Sequence, residues 1–262
     1  MTTLAHRPPA SGGQTILEAS AIEKRFGNVR ALRGASLSIR AATVTAIVGD
    51  NGAGKSTLIK CMSGVHAPDR GQLSVDGQPV SFSSSDEARK AGIETVYQDL
   101  ALVDQLTVAQ NLFLNREQVR SFGPFRFLNR RGMRRQAQQL LSDLGIHVPS
   151  VTARVRDLSG GQRQGVAISR AVHWAKRVII LDEPTAALGV KETRQVESTI
   201  ADLGRGGAAV VMISHNIDQV MRLASQVWVM RAGRVVGGLS TATASHEDIV
   251  ALITGANAGD VS

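Results

Sequence analysis

Apolar residues in this chain gather in short runs rather than long stripes. Val44-Thr45-Ala46-Ile47-Val48, Val178-Ile179-Ile180-Leu181 and Ala209-Val210-Val211-Met212-Ile213 have the length and Val/Ile content of strands buried on both faces of a parallel sheet. Shorter strands are predicted around Ile16 to Ala21 and Ala35 to Ile39, giving a β-rich antiparallel edge. From Met133 to Leu144 the apolar residues step with a helical period. After Arg231-Ala232-Gly233-Arg234 the pattern predicts a hairpin, then a last helix ending near Ile253. The fold class is therefore α/β. One domain is expected over 15–254, with a core over about 15–98 and 173–254 and a helical subdomain over about 99–172, between tails at 1–14 and 255–262.

The first buried run feeds Gly49-Asp50-Asn51-Gly52-Ala53-Gly54-Lys55-Ser56, and the helix-prone Thr57-Leu58-Ile59-Lys60 follows. Strand, glycine turn and helix in that order fit G-x-x-x-x-G-K-[ST], a P-loop. Backbone N–H groups must close around phosphate oxygens there, in conformations that a Cβ obstructs. The helix N-terminus adds partial positive charge. Lys55 would reach the β- and γ-phosphates of a nucleotide, and the Ser56 hydroxyl would take one position on Mg²⁺. Gly49 to Thr57 are the candidate cofactor-binding residues; a purely structural glycine turn is the competing reading.

The second run ends in Leu181-Asp182-Glu183-Pro184, a strand delivering two carboxylates at its C-terminal edge, the Walker-B position. Asp182 would hold Mg²⁺, directly or through a water, and Glu183 would polarise the water that attacks the γ-phosphate. Such a pair also occurs as a plain helix cap, and only the P-loop upstream turns the balance toward catalysis.

Leu158-Ser159-Gly160-Gly161-Gln162 has a physical meaning of its own: Ser159 can cap a helix at whose positive end Gly160 and Gly161 bare their amides. The pentapeptide also matches, without a change, the signature of ATP-binding-cassette (ABC) transporters, and the chain resembles their nucleotide-binding subunit. The resemblance implies a P-loop NTPase core with a β-rich edge and a helical subdomain, ATP and Mg²⁺ as cofactors, and two cassettes enclosing two ATP molecules head to tail. Ser159, Gly160, Gly161 and Gln162 would then cover the γ-phosphate of the partner's ATP. In the same family order, Phe26 in Glu23-Lys24-Arg25-Phe26-Gly27 resembles the aromatic that stacks on adenine, though a Phe beside a strand equally suits the core. Gln98 in Thr95-Val96-Tyr97-Gln98-Asp99 resembles the glutamine that reaches both metal and attacking water. His215, after Ser214 at the end of the third run, resembles the switch histidine on the γ-phosphate.

One position departs from the family. After Glu183-Pro184-Thr185 it usually has two small residues, Leu and Asp; here Ala186-Ala187-Leu188 leads to Gly189, which offers no carboxylate for communication between cassettes. The phrase Ala186 to Glu192 resembles the carbohydrate-uptake branch, as do Gln98-Asp99-Leu100-Ala101-Leu102 and Leu106-Thr107-Val108-Ala109-Gln110-Asn111.

Composition narrows this picture. With 262 residues and 43% hydrophobic content the chain can bury a full core. No second P-loop or signature is present, so a single cassette is expected rather than a tandem pair. No run approaches the roughly 18–20 apolar residues that span a bilayer, and the N-terminus lacks a signal-peptide apolar core. The membrane pathway must then be another polypeptide. Cys61 is the sole cysteine, which excludes an intrachain disulfide and suits a reducing cytoplasm.

Of the formal net charge of +8, much sits in one interval, where Arg116, Arg120, Arg126, Arg130, Arg131, Arg134 and Arg135 face only Glu117. This reads as a solvated helical face and loop, or as a surface near anionic headgroups or acidic permease loops. A nucleic-acid partner is not expected: aromatics are 3% of the chain, too few for stacking platforms. Related ATPases of DNA repair and translation carry coiled-coil insertions or two cassettes, and neither is present. The reading is an ATP hydrolase on the cytoplasmic face of a membrane, driving sugar import with a second cassette, permease subunits and an external solute-binding protein. An exporter ATPase, or a soluble regulatory or repair ATPase, is the alternative.

Overall fold

A computed structural model describes residues 13–122, 125–186 and 188–256. In chain order the first elements are β1 (Thr15–Phe26), β2 (Val29–Arg40), β3 (Val44–Val48), α1 (Lys55–Met62), β4 (Arg70–Val75), β5 (Gln78–Val80), α2 (Ser85–Lys90), β6 (Ile93–Val96), α3 (Val108–Leu112), β7 (Val119–Phe122) and β8 (Phe125–Leu128). There follow α4 (Arg130–Asp143), α5 (Gly160–Trp174), β9 (Val178–Asp182), α6 (Val190–Arg205), β10 (Ala209–Ile213), α7 (Ile217–Leu223), β11 (Gln226–Arg231), β12 (Arg234–Ser240) and α8 (His246–Thr254). The chain groups into two compact units. Of the described residues, one unit holds those up to Thr95, Ala175–Glu183 and those from Ile200; the other holds those of Val96–Trp174 and Pro184–Thr199.

The first unit contains both larger sheets. Its central sheet has the order β12-β11-β3-β10-β9-β6, and the three apolar runs form its middle: β3 and β10 are buried throughout, as is β9 up to Leu181. β10 runs parallel to both neighbours, with Ile213 opposite Ile47 on one side and Asp182 on the other. That register brings the C-terminal ends of β3, β9 and β10 to one edge, where open α/β sheets bind ligands. The other sheet, β2-β1-β4-β5, is antiparallel. Its two leading strands are far longer than the predicted Ile16–Ala21 and Ala35–Ile39. Register shifts at Ala19/Ile22 and Lys24/Arg25, with Ala21 at φ 52, break the alternation, and the outer halves keep exposed polar residues that hide a strand from a hydrophobic pattern.

The second unit is helical except for the ribbon β7–β8. Its core joins Val108, Leu112 and Phe113 of α3 and its end with Met133, Ala137 and Leu141 of α4 and Val166 of α5. The i, i+4, i+8 spacing of the α4 set is the helical period expected from Met133 on. Asn111 is fully buried and satisfied: its Oδ1 accepts from Val103 N at 2.7 Å, and its Nδ2 donates to Val103 O at 3.0 Å and Thr107 O at 3.1 Å. The interval Arg116 to Arg135, expected as helical face and loop, is in part a β-ribbon, along whose second strand Phe125, Arg126 and Phe127 alternate between the two faces.

Candidate functional site

At the sheet edge, β3 leads into the glycine loop and α1. Gly54 sits at φ 101, and a Cβ there would lie 2.8 Å from the Ala31 carbonyl oxygen, so the loop needs glycine at this point. Lys55 is only 8% exposed, and its Nζ donates to the carbonyls of Gly49 at 2.7 Å and Asp50 at 2.9 Å. Burial lowers its pKa, against the pull of Glu183, Asp50 and Asp182. The ammonium thus folds back over its own loop, among three carboxylates that surround it electrostatically. Asn51, Gly52 and Ser56 are exposed, Ala53 is buried, and Thr57 is half-buried.

Beyond β9 the two acids differ in setting. Burial pushes the Asp182 carboxyl up from its ordinary value, the neighbouring Glu183 adds to this, and Lys60 and Lys55 oppose it. Glu183 holds a left-handed backbone, φ 49, unusual for a non-glycine residue, and its N–H donates to Ile213 O at 3.1 Å. Its Oε1 lies 3.4 Å from Nδ1 of His215, whose side chain is exposed. The turn carrying His215 is fixed from within: the Ser214 hydroxyl donates to Gln219 Oε1 at 2.9 Å and accepts from Asn216 N at 3.1 Å. Asn216 caps α7 by accepting from Gln219 N at 3.0 Å. Gly49, Asp50, Glu183 and His215 border one cleft of about 560 Å³, whose far wall includes Val250 and Ile253 of α8.

At the end of β1, Phe26 is 43% exposed, which removes it from the core. His66 meets it edge-on with ring centroids 5.1 Å apart, and Lys24 Nζ stands 5.7 Å from its centroid. An exposed phenyl flanked by a second ring can stack on a base.

The second unit carries the other candidates. Gln98 lies exposed in the loop after β6. Arg170 holds the following residues, donating to Leu100 O at 3.0 Å and Ala101 O at 2.9 Å. The pentapeptide is a reciprocal cap: Gln162 N donates to Ser159 Oγ at 3.3 Å, and Ser159 N to Gln162 Oε1 at 3.0 Å. The final glutamine is thereby explained, since a side-chain acceptor at that position closes the box, as Asp248 does with Ser245 at the start of α8.

A family model described as ABC transporter matches residues 32–186. The chain is 45% identical over 248 residues to the fructose import ATP-binding protein FrcA of Rhizobium meliloti, covering 93% of this chain and 95% of that protein. It belongs to the ABC transporter family. The xylose/arabinose import ATP-binding protein XylG of Sulfolobus acidocaldarius is 42% identical over 94% of this cassette and 97% of its own length. Against the ribose import ATP-binding protein RbsA 1 of Rubrobacter xylanophilus, 45% identical, the cassette covers only 47% of the longer chain. Among solved structures, a nucleotide-free ATP-binding cassette from an ABC transporter superposes with TM-score 0.76 at 24% identity, over 92% of this cassette and 95% of that chain. A dimeric cassette in a post-hydrolysis state with ADP and Pi gives 0.73 at 23%, over 86% and 99%.

The donor set suits a hard divalent cation. Within the first unit it comprises a hydroxyl at Ser56 and the Asp182 carboxylate, raised in pKa by burial and by a second acid, both oxygen ligands of the kind Mg²⁺ takes. Among the described residues no group of three or more His, Cys, Asp or Glu could hold a metal by itself, so nucleotide oxygens would have to complete such a site. No helix among these residues is long and apolar enough to cross a membrane.

Sequence reasoning missed two residues of the cassette. His66 is forty positions from Phe26, with no periodicity to link them. Glu192 of α6 packs its stem over the signature: a Cβ at Gly161 would overlap its Cγ and lie 2.7 Å from its Cβ. Its Oε2 lies 2.6 Å from where a Cβ at Gly189 would stand. The two glycines are therefore not equivalent. Gly161→Ala must displace a helix stem and is expected to cost about 1–3 kcal/mol in urea denaturation. Gly189→Asp need only turn aside the end of a flexible side chain and is expected to cost under about 1 kcal/mol. Equal losses would mean that Glu192 does not lie across Gly161.

Cys61, six residues past the P-loop lysine in α1, is fully buried, and burial pushes its thiol up to about 11. Its reaction with a disulfide reagent at neutral pH is expected to run at least roughly 10²-fold slower in the native cassette than in the unfolded chain. Comparable rates would place the thiol at the surface.

Proposed function

We propose that this cassette binds and hydrolyses ATP to drive sugar import through a separate membrane permease. The observation that carries the reading is the convergence, at one edge of one sheet, of a buried lysine folded on a glycine loop, two consecutive acids and an exposed histidine on Glu183. Phosphoryl transfer asks mainly for positioning and charge neutralisation, and these groups supply both. The loop amides and Lys55 hold the β- and γ-phosphates, while Glu183 accepts the proton of the attacking water. His215, beside it, meets the γ-phosphate, and Phe26 stacks on adenine. Mg²⁺, held by Ser56, Asp182 and Gln98, would neutralise charge on the phosphates when bound.

The signature amides at Gly160 and Gly161, with Ser159 and Gln162, are an anion site for the ATP of a second cassette, so the working form is a dimer around two ATP. Its place is the cytoplasmic face of the membrane, with permease subunits and an external solute-binding protein. Sugar as the cargo is supported by the names of relatives matched along almost their whole length, fructose and xylose/arabinose import proteins among them.

The test is recovery of tagged Glu183→Gln chain, with ATP, from gently solubilised native membranes. A multi-span permease together with a sugar-binding protein establishes the importer. A permease without a binding protein would instead indicate export, and the absence of any membrane partner would leave a soluble ATPase.

A further inference from the structure

Between α3 and α4 the second unit carries β7 and β8, which among the described residues pair only with each other. A two-stranded ribbon is marginal in water unless something covers it. This one shows apolar side chains on both faces. Cross-strand partners share a face, so Phe127 stands with Arg120 and Phe125 on one side, and Leu128 with Val119 and Arg126 on the other. Phe125 is 64% exposed and Phe127 59%, their ring centroids 6.3 Å apart, and Leu128 is exposed as well.

The charge around them is mainly positive, with Glu117, which borders the same groove as Leu128, Arg130 and Arg134, as the acid of the interval. Arg120 and Arg126 on the ribbon, and Arg130, Arg131, Arg134 and Arg135 on α4, are all exposed, and none is ion-paired among the described residues. Four of these cations crowd the N-terminal part of α4, whose first turn holds no acid. A helix start favours the opposite charge, so they are kept there at a cost to the helix. The ribbon's base is fixed to that helix: Asn129 N donates to Gln118 O at 2.8 Å, and Asn129 Oδ1 accepts from Gly132 N at 3.0 Å. Rings and guanidinium groups are thus presented together.

We propose that this ribbon and the start of α4 form a docking surface for an anionic lipid bilayer, the phenyl rings entering the interfacial layer and the arginines meeting headgroup phosphates. The shape selects lipid over protein. A fluid interface can meet apolar groups on both faces of the ribbon at once, and its repeated headgroup phosphates match a surface of exposed arginines. Guanidinium groups bind phosphate oxygens in pairs, and a negative surface draws them in. The inference rests on the reading of the cassette as a membrane transporter's subunit, and ATP turnover reports on that reading separately.

The purified full chain is sedimented with phosphatidylcholine vesicles, with and without phosphatidylglycerol, across a salt series. Binding is expected only to the anionic vesicles and is expected to weaken as salt rises. Phe125→Ser with Phe127→Ser should lower partitioning roughly tenfold or more, since two exposed rings leave the interface. Replacing Arg130, Arg131, Arg134 and Arg135 by Gln should remove roughly fivefold per charge. ATP turnover should stay at the parent value in both variants, because none of these residues belongs to the phosphate site. Equal binding to neutral vesicles, no binding at all, anionic binding that survives both variants, or binding only when the permease is present would each overturn the proposal. Loss of ATP turnover in the parent chain with vesicle binding intact would instead overturn the proposed function and leave this surface standing.

Discussion

Glu183→Gln is expected to lower ATP hydrolysis by about 10²–10⁴-fold while leaving ATP binding close to that of the parent chain. The amide keeps the volume of the carboxylate and its reach toward His215, now 3.4 Å away, and loses only the capacity to take a proton. Phosphate release measured beside nucleotide binding separates the two effects. Turnover near the parent value would remove Glu183 from the role of base. A second substitution isolates the backbone: at φ 49 a glutamate is held where glycine rests without strain. Glu183→Gly is therefore expected to be equally inactive yet to melt no lower than the parent. A marked drop in melting temperature would show that the side chain, rather than the catalytic task, is what the fold requires.

Lys55→Ala is expected to act on the other quantity, weakening ATP affinity by about 10–100-fold, the size of one or two lost charge-assisted contacts. Without nucleotide the ammonium is already drawn out of water and satisfied by two carbonyls of its own loop. Exchanging those contacts for phosphate oxygens, which carry full charge, is what favours binding. Replacement by Met tests the same point without a cavity. Met also leaves the Gly49 and Asp50 carbonyls without their donor, so the nucleotide-free melting temperature is expected to fall along with the affinity. Undiminished affinity in either variant would mean that Lys55 does not reach the phosphates.

What could be read from the chain alone follows a physical rule. β3, β9 and β10 were legible because strands buried on both faces are apolar along most of their length, Thr45 of β3 excepted, and the loops after them because phosphate chemistry tolerates few substitutes. The capping pair Ser159 and Gln162 was half legible: the serine announced a helix start, while the reciprocal bond that requires the glutamine emerged only with the geometry. Phe26 was ambiguous between core and platform until its exposure was known. The outer halves of β1 and β2 and the ribbon β7–β8 escaped, since their polar residues face water and their pairing partners are set by bulges and turns. Glu192 over Gly161 and His66 on Phe26 are contacts across folded distance, and no local pattern encodes them.

The sheet order has a further meaning for the cleft. β10 lies between β3 and β9, so the glycine loop and the paired acids emerge two strand spacings apart, about 9–10 Å. That separation is imposed by main-chain hydrogen bonding and is indifferent to which side chains line it. The backbone thus acts as a gauge for what fits between the lysine and the acids. Substitutions can alter the grip on a phosphate chain but not the gap it must bridge, which only a change in strand order could widen.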